Sequence, residues 1–391
     1  MSTHTYHGTF LDPETMTASE GWLVTEDGSI TALESKQPAS AGEATRLSGT
    51  VVPGLIDSHV HLGFSGEGDP VGTLLKETQN QVVLRALRNL GDHLSAGVTT
   101  VRDLGGPYNL SVDLHRAVEA GLLTAPRIVP SGHNITMTGG HGHAFGREAD
   151  GPDEVRKAAR AEIKAGARVI KFMATGGVLT PGVAAGAEAM TEAEMRAGVE
   201  EAHKAGLMTA THAQGLAGVK NALRAGIDTI EHGAFDHFDD EAFGLFADPD
   251  RPRWLVPTLA APTGILAHAD ELPAWMIEKT RPIGVLHLRN VGEAYRAGVR
   301  IAAGTDAGTP FNPHGGLPDE LALMHGAGMP LDDVFRSVSL EAAGAVGLAG
   351  LIGTFRAGAA ADLVALDGDP LSDVQAWARP LAVVSRGVRV S

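Results

Sequence analysis

Between residues 51 and 306 short aliphatic runs alternate with longer, Ala-rich stretches whose apolar residues recur at helical spacing. The runs fall at 52–60, 97–103, 127–132, 168–174, 207–213, 227–232, 254–259 and 299–306. Helices are predicted over 73–95, 110–121, 152–165, 191–205, 215–225, 238–247, 273–297 and 318–326. Several end in Ala-Gly just before the next strand, as at Ala96-Gly97, Ala165-Gly166, Ala205-Gly206, Ala225-Gly226 and Ala297-Gly298. A glycine just past the last helical residue is the usual stop signal. Strand and helix repeating eight times predict an α/β fold, a (β/α)8 TIM barrel spanning 51–352. A doubly wound open sheet is the alternative, but no GxGxxG follows the first strand to favour it.

The flanks read differently. Trp22-Leu23-Val24 and Ser29-Ile30-Thr31-Ala32-Leu33 enclose Glu26-Asp27-Gly28, a hairpin signal. Residues 331–349 read as further helix, and β texture returns in 353–366 and 381–387. Neither terminal piece could bury its own apolar face. A composite β-sandwich domain of 1–50 and 353–391, packed beside the barrel, is therefore expected.

Composition narrows the chemistry. The 391 residues carry a formal charge of −16, which argues against nucleic acid or an anionic membrane as partner. With no cysteine, disulfides, thiolate catalysis and Cys-bound zinc are excluded. The first residues show no basic and apolar leader pattern, so the cytoplasm is the expected location, with a small-molecule substrate as the expected partner. Homo-oligomerisation is left open.

In such a barrel catalytic groups sit at the C-terminal strand ends. Strand one ends in His59 and His61, which an extended chain points to the same side. Strand four carries Lys171 inside Val169-Ile170-Lys171-Phe172-Met173. Strands five, six and eight end in His212, His232 and Asp306. Histidine and carboxylate are good ligands for divalent metals. A lysine buried among aliphatics has a lowered pKa, and beside two cations its neutral amine can take up CO2 as a bridging carbamate. An ion-paired structural lysine and a Schiff-base lysine are the alternatives.

These segments resemble the amidohydrolase superfamily, in particular the imidazolonepropionase-related branch with the Xaa-Pro dipeptidases and other prolidase-like carboxypeptidases. Pro53-Gly54-Leu55-Ile56-Asp57-Ser58-His59-Val60-His61 is similar to its first-strand signature, and Ile170-Lys171-Phe172-Met173-Ala174-Thr175-Gly176-Gly177-Val178 to its lysine strand. The loops Thr136–His143, Glu231-His232-Gly233 and Gly304–Pro310 and the segment Ala361–Pro370 are similar too. The resemblance implies two divalent metals, zinc first, with manganese, cobalt or iron as alternatives. His59, His61 and Asp306 would hold one and His212 and His232 the other, bridged by carboxylated Lys171 and a hydroxide. It implies hydrolysis of an amide by that hydroxide, Asp306 passing its proton to the leaving amine. The substrate it implies is a dipeptide or N-acyl amino acid.

Substrate-contacting residues are harder to read. His141 and His143 lie in a Gly-rich loop, and the resemblance implies that a histidine there meets the substrate, His141 as a catalytic or oxyanion contact. Arg102, ending strand two, could bind a carboxylate or pair structurally with Asp103. Many relatives have a tyrosine where Gln214 stands, so a shorter amide donor replaces a phenol. His314, Glu67 and Asp69 are further rim candidates. Other readings are a hydrolase of a cyclic amide, lactone, carbamate, urea or phosphoester using the same metals, and a non-catalytic scaffold.

Overall fold

The computed structural model describes residues 2–38 and 44–391. One sheet has seven strands in the order Val388–Arg389, Pro380–Ser385, Leu363–Leu366, Thr45–Pro53, Thr3–Asp12, Thr17–Glu26, Ser29–Glu34. Both chain termini therefore contribute to it. The joint is the antiparallel pairing of Leu363 with Pro53 through Leu366 with Thr50. Phe10, Leu23, Val51, Leu363 and Val384 form its core, drawn from both ends of the sequence. The sheet also curls back on itself: Ile30 N donates to Ala359 O and Gly358 N to Ile30 O, each at 2.8 Å. Such closure leaves fewer unpaired edge groups.

The predicted boundary at residue 50 moves. Val51, Val52 and Pro53 finish a strand of the composite sheet, and the next strand begins at Leu55. Gly54 is the crossing point. Its N–H donates to Asp362 O at 2.8 Å, and a Cβ there would lie 2.1 Å from Thr99 Oγ1. No larger residue fits that approach.

The remaining parallel strands fall into two sets. Leu55–Val60, Val98–Asp103 and Arg127–Pro130 pair in one. Val169–Met173, Met208–Ala213, Thr229–His232, Trp254–Val256 and Arg300–Ile301 pair in the other. Backbone hydrogen bonds join the sets at both seams: Arg168 N to Pro130 O at 2.7 Å, and Ser58 N to Ala303 O at 3.0 Å. The strands are shorter than predicted, the last pairing as a strand only over Arg300–Ile301, although single backbone hydrogen bonds continue beyond it, as from Ala302 N to Leu255 O and Asp306 N to His59 O.

The helices largely follow the pattern. Gly166 and Gly226 close Pro152–Ala165 and Leu216–Ala225 in the left-handed region, at φ +113° and +94°. The stretch 73–95 is broken, however, into Pro70–Lys76 and Gln79–Ser95. Thr78 and Gln81 form a capping box there, a start signal that outweighs the continuous apolar pattern. A short helix, Ala260–Ala267, was not anticipated; it is almost wholly apolar and carries no period. No helix among the described residues is long and apolar enough to cross a membrane.

Candidate metal centre

His59, His61 and Asp306 each bring one ligand atom into a group within 4.8 Å of one another. Asp306 Oδ1 lies 3.3 Å from His59 Nε2 and 3.2 Å from His61 Nε2. The rings of His212 and His232 are 4.7 Å apart, and His232 is 5.2 Å from His59. Lys171 lines the same cavity, whose volume is about 270 Å3. Thus six side chains scattered from residue 59 to 306 meet on one floor.

Backbone geometry at the strand ends aims them. His232 and Asp306 have φ of +70° and +60°, and Thr258 has +53°. Left-handed backbone is costly for residues with a Cβ, most of all for a β-branched one, and clusters at functional sites. At His232 it has a direct effect. A regular strand would point Glu231 and His232 to opposite faces, yet both reach the site: Glu231 Oε2 accepts from His59 Nδ1 at 2.9 Å while His232 packs on His59. Asp306 is held by its N–H donating to His59 O at 2.8 Å, and Asn312 Nδ2 donates to its carbonyl.

Each imidazole has one nitrogen committed away from the centre. His59 Nδ1 donates to Glu231, His61 Nδ1 to Gly105 O and His212 Nε2 to Gly176 O, all at 2.9 Å. His232 Nδ1 donates to Thr258 Oγ1 at 2.7 Å, whose own hydroxyl donates to Pro257 O. The acceptors fix the tautomers and leave one lone pair per ring facing inward. Such outer partners are the usual support of metal-bound histidine. Burial, and then neighbouring positive charge, holds His59, His212 and His232 far below the ordinary imidazole pKa, so they stay neutral as ligands must. For His61 burial acts downward, but the hydrogen bond and charge of Asp306 help to bring it out raised.

Two buried atoms among these groups have no partner: His59 Nε2 and Lys171 Nζ. Lys171 is 1 % exposed, and burial pulls its ammonium down to about 8. Buried polar groups are seldom left unpaired. Neutral imidazoles, a carboxylate and an orphaned amine therefore fit divalent cations.

The substrate candidates scatter. His141 joins the site, its ring 4.4 Å from His212 and its Nδ1 2.9 Å from Thr180 Oγ1. Gly177 packs against that ring so closely that a Cβ would stand 2.4 Å from it. His143 is exposed at the rim, its Nδ1 donating to Gly140 O. Gln214 lines the cavity with an unpartnered Oε1.

Arg102 does not line the cavity and is not available to a substrate carboxylate. It is fully buried beneath the floor, giving its N–H groups to Ser58 O, Thr229 Oγ1, Ala345 O and Glu231 Oε1. Nor does it pair with Asp103, which accepts from Leu62 N instead. His314 is likewise outside the cavity, bonded to His93 and Phe64 O. Asp69 caps Pro70–Lys76, and Glu67 is exposed.

Glu231 and Thr180 were missed as site residues. For Glu231 a signal existed: a charged residue within a buried strand, the same sign that singled out Lys171. Thr180 gave none.

A floor of inward histidines, one aspartate and one lysine at parallel strand ends defines a metal-dependent hydrolase. Comparison with known proteins agrees. Residues 50–390 match the Amidohydrolase family, and the chain belongs to it. The ochratoxinase of Aspergillus niger is 29% identical over 372 residues, covering 87% of this chain and 75% of that protein. A Xaa-Pro dipeptidase solved with methionine in its active site is 29% identical, with TM-score 0.92 and all of both chains covered. A prolidase solved with N-methylphosphonate-L-proline is 31% identical, with TM-score 0.91 and again all of both chains covered. The protein is accordingly a hydrolase acting on amide bonds, in a family that generally uses divalent metals.

Proposed function

We propose that the protein is a binuclear amidohydrolase on a closed (β/α)8 barrel with an adjoining β-sandwich, hydrolysing a dipeptide or an N-acyl amino acid. His59, His61 and Asp306 would hold one divalent ion, His212 and His232 the other, with carboxylated Lys171 between them. The observation that carries this reading is the unpartnered Lys171 Nζ among inward-facing imidazoles. A structural lysine would have an acidic partner within bonding distance, and a non-catalytic scaffold would have no use for the array. Zinc is the favoured metal on ligand type.

The ions, when bound, would supply a nucleophile from water at neutral pH and polarise the scissile carbonyl. The protein's own groups do the rest. Glu231 and Thr258 keep His59 and His232 in the tautomer that leaves Nε2 free. Asp306, 11% exposed at its side chain and turned toward the cavity, takes the proton released during attack and returns it to the leaving nitrogen. Burial raises its pKa, which suits a proton carrier. His141, clamped by Thr180, offers its other ring nitrogen to the carbonyl oxygen as negative charge develops.

The test is metal content by mass spectrometry for the wild type and Lys171→Ala, with hydrolysis of a dipeptide and N-acyl amino acid library. Two ions in the wild type and at most one in the variant are expected. Two ions and full activity in Lys171→Ala would refute the bridging role.

A further inference from the structure

The cavity wall above the metal floor is built of two apolar clusters. On one side Phe64 and Phe145 cross edge to face at 5.0 Å, and Phe64 stacks on the ring of His61 at 5.0 Å. On the other, Val178, Ile265 and Ile283 pack with Phe235 in a cluster separate from the main core. That second cluster joins the loop after strand four to the helices Ala260–Ala267 and Ala274–Arg296. It is distinct from the clusters that pack around the strands.

Among the described residues that line the cavity, the wall carries no lysine or arginine of its own. Lys171 is the sole lysine or arginine among the described residues lining the cavity, and it belongs to the floor. Lys279 and Arg85 flank the wall from behind, their N–H groups already committed. Lys279 donates to Thr180 O and Val183 O and lies over the Trp275 ring. Arg85 pairs with Glu77 and reaches Gly63 O. The wall hydroxyls are spent too: Thr280 donates to Met276 O and Thr309 to Asp306 O. His141 and His143 each have one ring nitrogen occupied, by Thr180 and Gly140, and so offer one hydrogen bond rather than a charged fork.

A carboxylate held against this wall, away from the floor and the ions it would bind, loses hydration without gaining an ion pair. The chain's charge of −16 also repels an anion on approach. Aromatic and aliphatic groups, by contrast, gain roughly 25 cal/mol for each Å2 they bury.

We infer that this pocket selects amides with a bulky, uncharged apolar group beside the scissile bond, and that a free carboxylate on the substrate is not needed for binding. The inference rests on the amide-hydrolase part of the proposed function and departs from its dipeptide and N-acyl amino acid substrates by removing the need for their carboxylate. A peptidase that recognises the chain terminus requires the carboxylate; this wall is built to do without it.

Two compounds separate the cases: N-benzoyl-phenylalanine, and N-benzoyl-2-phenylethylamine, which keeps the amide and both rings but lacks the carboxylate. On metal-loaded enzyme the neutral compound is expected to have a kcat/KM at least equal to that of the acid. A preference of about tenfold or more for the acid overturns the inference. Replacing benzoyl by acetyl on the neutral compound should lower kcat/KM about tenfold or more, and equal rates would overturn the apolar part. Titration calorimetry of both compounds against Asp306→Asn reads binding without turnover. Tighter binding of the neutral compound with no hydrolysis by wild type would sink the amidase reading while leaving the pocket inference standing. Leu179→Arg, at a half-buried lining position, should shift the acid-to-neutral ratio toward the acid about tenfold. Val71→Arg serves if that variant does not fold. An unchanged ratio in the folded variant argues that the wall does not set charge preference.

Discussion

The floor and the wall of this cavity are a few ångströms apart and are built by opposite means. On the floor, side chains leave strand ends, each one oriented by a second residue: His59 by Glu231, His232 by Thr258, His61 by the Gly105 carbonyl. Those second residues are often held by a third, as Glu231 is by Arg102 and Thr229. The wall has few such chains of support. Loop residues and two helices supply apolar surface, and packing alone orients most of it. Directional bonds fix the floor to one geometry, whereas an apolar wall tolerates changes of shape at modest cost. Chemistry and selectivity should therefore respond to substitution in different ways.

The sharpest test of that contrast is Lys171→Ala against Ile265→Val. The lysine variant should lose activity on the order of 10³-fold or more, since first-rank groups acting as a unit are not replaceable. Ile265→Val should change kcat/KM only a few-fold, on the scale of about 1 kcal/mol for a methylene. Steady-state kinetics with one good substrate decides it.

Next in size is Glu231→Gln. His59 keeps a hydrogen-bond acceptor but loses the carboxylate, and Arg102 is left as a fully buried charge without its counter-ion. Metal affinity should fall about 10–100-fold, and stability by about 3–5 kcal/mol. Competition with a chelator and thermal melts measure the two separately. Normal affinity with normal stability would show that the floor does not depend on its outer support.

Thr180 is the one strong point of the wall, joining His141 through its hydroxyl to Lys279 through its carbonyl. Thr180→Val should lower kcat about tenfold with little change in KM, because the imidazole loses orientation and not its place. Thr180→Ser should recover most of the loss. A rise in KM alone, with kcat unchanged, would assign Thr180 to packing.

The smallest effect concerns Glu320, which accepts the Leu259 and Ala260 N–H groups and so caps the wall helix Ala260–Ala267. Burial raises its pKa to about 8 from an ordinary 4.5. The folded state then binds more protons than the unfolded state between those values, so this group's contribution to stability falls as pH rises through that window. Glu320→Gln should flatten the pH dependence of the melting temperature between about 4.5 and 8, with kcat unchanged within about two-fold. An unaltered pH profile would show that Glu320 does not carry it.

The same contrast governs what could be read from the sequence. His59, His61, Lys171, His212, His232 and Asp306 were visible because strand ends follow from alternating apolar runs, and polar residues there break the pattern. Arg102 broke it in the same way and was misread: the sequence reveals a charge in a buried strand but not whether it faces the cavity or lies beneath it. Glu231 broke it too, but strand alternation set it opposite His232; the left-handed backbone at His232, which lets both reach the site, left no mark in the sequence. The wall left no periodic trace. Val178, Ile265 and Ile283 come from a loop and two helices, and their meeting depends on long-range packing. Helix Ala260–Ala267, apolar on nearly every side, offered no phase to detect.

The composite sheet imposes an order on how this protein comes into being. Thr45–Pro53 is synthesised well before one of its neighbours in the sheet, Leu363–Leu366. Until then an apolar strand edge stands open, and open edges invite pairing with other chains. The floor's ligands all lie between His59 and Asp306, so they are synthesised before the strand that completes the sheet. Truncations near the C-terminus should therefore yield chains that assemble their metal ligands and still aggregate through the unfinished edge at Thr45–Pro53.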